Sequence, residues 1–205
     1  YTGCRLHICH VSTRGSIEAI RRAKARGVRV TAETCPHYFS ADDSMILTFD
    51  TNTKVNPPLR TQADVEAIIE GLRDGTIDVI ATDHAPHHVN DKQVEYQYAA
   101  NGISGLETAF SLAYTHLVKE GRITLQRLSE LMSRQPNRIL KLGSGVIKPH
   151  APADITVVDL NAEYTIDPAE FVSKGKNTPF CGADVFGRVK MTFVDGDLKY
   201  SEIEE

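Results

Sequence analysis

The feature that most constrains this chain is an alternation, over its first ninety residues, of short apolar runs and helical stripes. Leu6 to Val11, Val28 to Thr34 and Ile77 to Thr82 read as strands, with an amphipathic segment ahead of each of the last two. Strands that alternate with helices build parallel sheets, because a parallel neighbour is reached only through a crossover. Ile17, Ala19, Ile20 and Ala23 mark the first stripe, closed by Lys24, Arg26 and Gly27. Val65, Ile68, Ile69 and Leu72 fall at i, i+3, i+4 and i+7 of the second, with Thr61 and Asp64 as a capping pair and Gly75 at its end. Three such units are too few for a closed eight-stranded barrel of roughly 250 residues, but they fit its last third.

Cys35 to Arg60 reads as a loop, in which Pro57 and Pro58 exclude regular helix and stiffen the backbone in an extended form. Residues 88–101 read as a polar loop of a length usually reserved for function. Helices are expected from Leu106 to Lys119 and from Leu125 to Ser133, the latter capped by Thr124 and interrupted by Pro136. Near residue 145 the character turns to β: Ala153 to Val158 reads as a strand, and Val189 to Val194, Asp195-Gly196 and Asp197 to Tyr200 as a hairpin.

At 205 residues, 41% hydrophobic and 24% charged, the chain has the composition of a globular protein. Its net charge of -4, with acids and bases interspersed, gives no reason to expect a nucleic-acid or membrane surface. No apolar run approaches the roughly 20 residues that span a bilayer, and no signal pattern is present, so a cytoplasmic location is expected. Cys4, Cys9, Cys35 and Cys181 show no CxxC spacing and read as reduced thiols. Tyr1 opens the chain without Met, close to what looks like the middle of a sheet, so a longer parent protein is expected.

The chemistry concentrates in Ala81-Thr82-Asp83-His84-Ala85-Pro86-His87. An acid at a strand mouth, with imidazoles one and four positions on, suits metal-assisted hydrolysis; a helix cap is the structural alternative. His7 and His10 are three apart on one strand, so a two-residue period sends them to opposite faces, and only His10 sits at the carboxyl end where β/α barrels build their sites. Asp83 holds the equivalent strand-end position, and a carboxylate with an imidazole suits zinc. His37 also follows a strand and is a rival ligand. His84 is expected to point away from Asp83 in a structural role. His87, in the loop beyond, suits a substrate carboxylate. Asn56 beside two prolines suits orienting an amide or ureide, with turn formation as the alternative. Gly102-Ile103-Ser104-Gly105 permits close approach of backbone amides to a ligand.

The segments His7-Ile8-Cys9-His10-Val11-Ser12-Thr13, Thr31-Ala32-Glu33-Thr34-Cys35-Pro36-His37, Asn56-Pro57-Pro58-Leu59-Arg60, Gly75 through His87 and Gly105-Leu106-Glu107-Thr108 together resemble the carboxyl-terminal part of the dihydroorotases, in the amidohydrolase superfamily. Asn177-Thr178-Pro179-Phe180 and the terminal hairpin are similar to that family's closing β segment. The resemblance implies an α/β fold: the carboxyl-terminal portion of a TIM-type barrel, with strands six, seven and eight ending near His10, Thr34 and Asp83, over residues 1–143. Residues 144–205 are then a β segment of a composite sandwich domain.

It further implies His10 as a metal ligand, Asp83 as metal ligand and general acid/base, and Asn56, His87 and the Asn101-Gly102 backbone as substrate-binding, with one or two zinc ions per complete site. By the same pattern His37 lies outside the ligand set. The implied reaction is the reversible cyclisation of N-carbamoyl-L-aspartate to L-dihydroorotate in pyrimidine biosynthesis, with a small-molecule substrate as partner and a homodimer left open. Other cyclic amidohydrolases of the allantoinase or dihydropyrimidinase/hydantoinase type share the barrel; His87 with Asn56 favours a ring that carries a carboxylate. A non-catalytic amidohydrolase-like assembly protein is the alternative of another class. The fragment alone is expected to be inactive, because the family's remaining metal ligands lie upstream.

Overall fold

The computed structural model describes residues 2–202 and contains two three-stranded sheets. The first joins β1 (Leu6–Ile8) by a crossover through α1 (Arg14–Ala25) to β2 (Val30–Thr34). A short turn of helix, α2 (His37–Ser40), leads into the loop that carries the cis Asn56-Pro57 peptide; α3 (Gln62–Asp74) and β3 (Val79–Ile80) follow. All three strands run parallel in the order β1-β2-β3, with Leu6 opposite Val30 and Glu33 opposite Val79. The sheet and α/β alternation expected from the apolar runs are thus present. β1 ends before its apolar run does because the backbone turns at His10, whereas β2 and β3 each start two residues inside theirs.

One capping expectation needs correction. Thr61 makes no hydrogen bond onto the start of α3. Its hydroxyl instead donates to Asp64 Oδ2 at 2.7 Å, and Asp64 Oδ1 accepts the N–H of Arg14 at 2.9 Å. Asp64 therefore satisfies a free N–H in the first turn of α1 and ties two helices together.

Beyond β3, α4 (Val89–Lys92) lies in the expected polar loop, and α5 (Ala109–Ala113) continues into a π-helical turn, Tyr114–Lys119. The next helix passes through Pro136 without breaking, contrary to expectation. It runs as α6 (Leu125–Ser129), a π-helical segment Glu130–Arg134, and α7 (Gln135–Leu140). Proline removes one donor and crowds the carbonyl one turn back; the widened π turn just ahead of it accommodates both.

The second sheet is antiparallel, in the order β4 (Ile155–Thr165), β5 (Asp184–Val194), β6 (Asp197–Ser201). Its hairpin turns at Asp195 and Gly196, both at positive φ (52° and 85°), the geometry that an Asp-Gly pair favours. A single apolar cluster runs from Ile17, Ile20, Ile68 and Leu72 through Leu112, Leu117, Leu128 and Leu131 to Phe180 and Val185. The helices and the second sheet therefore share one core, while the polar residues His10, Glu33 and Asp83 at the ends of the first sheet's strands stay half-buried at its margin.

Candidate active site

Two non-glycine residues at those strand ends adopt left-handed backbone: His10 (φ 57°) and Asp83 (φ 46°). Such conformations cost on the order of 1–3 kcal/mol each and cluster at functional sites. After Ile8 the first strand leaves its ladder for two residues and returns where the N–H of Val11 donates to the carbonyl of Glu33 at 2.9 Å. His10 sits at that excursion, and its side chain turns back over the sheet end.

This overturns the expected separation of the two histidines. His7 Nε2 lies 3.0 Å from Glu33 Oε2 and His10 Nδ1 lies 3.3 Å from Glu33 Oε1, so one carboxylate joins both imidazoles. A two-residue period predicts side-chain direction only while the strand geometry persists. His7 Nδ1 is fixed in turn by Thr31 Oγ1 at 2.7 Å. Glu33 was not singled out as a site residue. Its signal was available: Thr31 and Glu33 form the polar face of a strand whose other face, Val30, Ala32 and Thr34, is buried.

His10 and Asp83 meet as expected, with Nε2 to Oδ1 at 3.6 Å, and Cys35 Sγ lies 3.5 Å from His10 Nδ1. His10, Cys35 and Asp83 each offer one donor atom, all within 4.8 Å of one another. Burial raises the Asp83 carboxyl above its ordinary range; His10 opposes this, and the Glu33 charge adds to it. Burial also pushes the Cys35 thiol well up, which leaves a neutral thiol rather than a thiolate. His37 is 1% exposed, with both ring nitrogens unpartnered among the described residues, and burial with the nearby His10 lowers its basicity to about 3. A buried neutral imidazole with free nitrogens is a latent donor.

A second group of expected residues assembles beside the first. His84 Nδ1 accepts the N–H groups of Gly105 at 3.1 Å and Leu106 at 3.3 Å, the structural role expected of it. His87 Nε2 donates to the carbonyl of Asn101 at 2.9 Å. Gly102 has φ +133°, and a Cβ there would lie 2.4 Å from that of Ala85, so only glycine fits. The Gly102 N–H is taken by the carbonyl of Lys54 at 2.9 Å, whereas the Asn101 N–H has no partner among the described residues. Asn56 is exposed, its carboxamide unengaged among the described residues, on a loop held by a hydrogen bond from Tyr38 Oη to Pro57 O at 2.7 Å. No hydrogen bond or ion pair among the described residues joins Asn56 to either group. A further residue that drew no role from sequence, Asn177, binds both loops of the second group.

The amidohydrolase family model matches residues 1–199. Dihydroorotases of Syntrophus aciditrophicus and Acetivibrio thermocellus are each 54% identical over 202 residues, 98% of this chain and 47% of theirs. The chain thus spans about half the length of the curated relatives it matches. Among solved structures, an L-hydantoinase (dihydropyrimidinase) from Arthrobacter aurescens superposes with a TM-score of 0.93 at 32% identity, over 98% of this chain and 46% of that one. A D-hydantoinase (dihydropyrimidinase) from Thermus sp. does so with 0.91 at 25% identity, again over 98% and 46%. With a family model covering nearly its whole length, the chain belongs to the amidohydrolase family.

Proposed function

We propose that this chain is the carboxyl-terminal part of a dihydroorotase, which interconverts N-carbamoyl-L-aspartate and L-dihydroorotate in pyrimidine biosynthesis. The observation that carries the proposal is the approach of His10 Nε2 to Asp83 Oδ1, 3.6 Å apart at two strained strand ends. The relatives name the chemistry: identity to the dihydroorotases is 54%, against 32% to the hydantoinase. Retained backbone strain at both residues speaks for an enzyme over an assembly protein.

In this reading β1, β2 and β3 are neighbouring strands of a TIM-type barrel within residues 1–143, completed by upstream sequence, and residues 144–205 belong to a second, composite domain. The metal-ligand set is His10 and Asp83. His37 stays outside the set, as the resemblance implies: it is buried, and it is not among the donor atoms that gather around His10, Cys35 and Asp83. An imidazole and a carboxylate are donors that fit zinc, and the neutral Cys35 thiol stays outside. When bound, the metal supplies Lewis acidity toward the amide carbonyl and water.

The protein's own groups do the rest. Asp83 takes a proton from the attacking nucleophile and returns it to the ring nitrogen, a role suited to a carboxyl whose burial has raised its proton affinity. Glu33 holds the His10 ring by Nδ1, which orients Nε2 toward the metal side. His87 and the free Asn101 N–H receive the substrate carboxylate. Gly102, its own N–H already engaged, contributes close approach rather than a donor, and Asn56 orients the ureide. A cytoplasmic location goes with this reading, and a homodimer is the assembly to test by sedimentation.

The test uses the full-length protein. Dihydroorotate hydrolysis, loss of turnover on chelation and its return with zinc are the expected results. Hydrolysis of hydantoin or allantoin with no activity on dihydroorotate assigns the site to another cyclic amide.

A further inference from the structure

Asn177 is 7% exposed and lies 90 residues from His87 in sequence, yet its carboxamide joins the two loops that carry the second group. Its Oδ1 accepts the backbone N–H of His87 at 2.9 Å. Its Nδ2 donates to the carbonyls of Gly102 at 2.9 Å and Ala85 at 3.3 Å. The Asn177 carbonyl accepts the N–H of Ser104 at 2.7 Å, and the Ser104 hydroxyl donates to Gly175 O at 2.6 Å. A carboxamide is the one small side chain with paired donors and an acceptor, and here all are engaged inside the protein.

The segment that carries it is pressed flat against the His87 loop. A Cβ on Gly175 would lie 2.6 Å from Pro86 Cβ and 2.8 Å from the His87 nitrogen. The two loops also touch directly, through Ala85 N–H to Ile103 O at 2.8 Å and His87 Nε2 to Asn101 O at 2.9 Å. Those contacts set their spacing along one line; the carboxamide fixes the angle between them.

We propose that Asn177 is a positioning residue for substrate binding, which holds the His87 imidazole and the Asn101 N–H at a separation that receives one carboxylate. The inference rests on the substrate roles proposed above for His87 and Asn101. An aspartate at 177 is a sharp probe, because it keeps size and acceptor but turns a carboxylate oxygen toward two carbonyls.

The experiment measures steady-state kinetics on dihydroorotate and amide hydrogen exchange in the full-length protein, for wild type, Asn177→Ala and Asn177→Asp. Both variants are expected to raise KM about tenfold with kcat within about threefold, the pattern of lost binding without lost chemistry. Exchange is expected to quicken in residues 85–88 and 101–104 and to stay unchanged in residues 30–34. A lower unfolding temperature with wild-type KM and unaltered loop exchange overturns the proposal, since it marks a purely structural residue. Should Asn177→Ala fail to fold, Asn177→Asp carries both readouts. Should the wild type not turn over dihydroorotate, the functional reading falls, and unaltered exchange in the loops remains the result that overturns this one.

Discussion

The strand-end cluster and the loop cluster are neighbours built on opposite principles. Around His10 the polar contacts to Glu33, Cys35 and Asp83 span 3.3 to 3.6 Å, at or beyond the limit of a good hydrogen bond, and the backbone is strained at two positions. Around Asn177 the contacts span 2.6 to 3.3 Å, and the carboxamide and the Gly102 amide find their partners within the protein. The first gathers donor atoms without saturating them, as metal ligation and proton transfer require. The second holds its two loops through engaged donors and acceptors and leaves the Asn101 N–H without a partner among the described residues, an arrangement that suits recognition of a fixed charge.

The largest expected effect breaks the first cluster alone. Asp83→Asn in the full-length protein keeps shape and a residue tolerant of left-handed backbone, so the urea midpoint should hold while kcat falls about 10³-fold. A shifted midpoint with retained kcat would reverse the roles of the two clusters. Next, Gly102→Ala should cost about 2–4 kcal/mol in urea unfolding, because it combines positive φ with a clash against Ala85. A loss below about 0.5 kcal/mol would show the loop cluster to be as yielding as the strand ends.

A smaller effect comes from Lys92. Its ammonium donates to the carbonyls of Ala100 at 2.8 Å and Gly102 at 3.1 Å, beneath the same loop. Burial, opposed by Asp50 and aided by Lys54, lowers it to about 8 from 10.5. Between those values the unfolded chain binds the proton that the folded chain has released, so the contribution of Lys92 to stability rises with pH across that window. Lys92→Met should flatten this slope in urea titrations at stepped pH; an unchanged slope would place Lys92 in solvent.

Much of the scaffold was legible from periodicity. Ile17 and Ile20 on α1, Ile68 and Leu72 on α3, and the Asp195-Gly196 turn follow from local rules, because helix faces and hairpin turns depend on neighbours in sequence. His10 and Asp83 were legible as strand-end residues. The shared contact of His7 and His10 with Glu33 was not, because the alternation rule ends at the positive φ of His10. Pro136 misled for a related reason: its usual effect assumes α-helical spacing, and the π turn before it changes the spacing. Asp64 and Asn177 were out of reach of local reading, since their partners, Arg14 and His87, are 50 and 90 residues away.

On the function proposed above, the strained strand ends of His10 and Asp83 hold a metal ion. Anomalous diffraction at the zinc edge from crystals of the full-length protein tests it most directly. The expected result is a peak about 2.0–2.2 Å from His10 Nε2 and from an Asp83 carboxylate oxygen, lost in Asp83→Asn crystals. A fully active enzyme whose crystals show zinc elsewhere, with His10 and Asp83 still paired to each other, would contradict it.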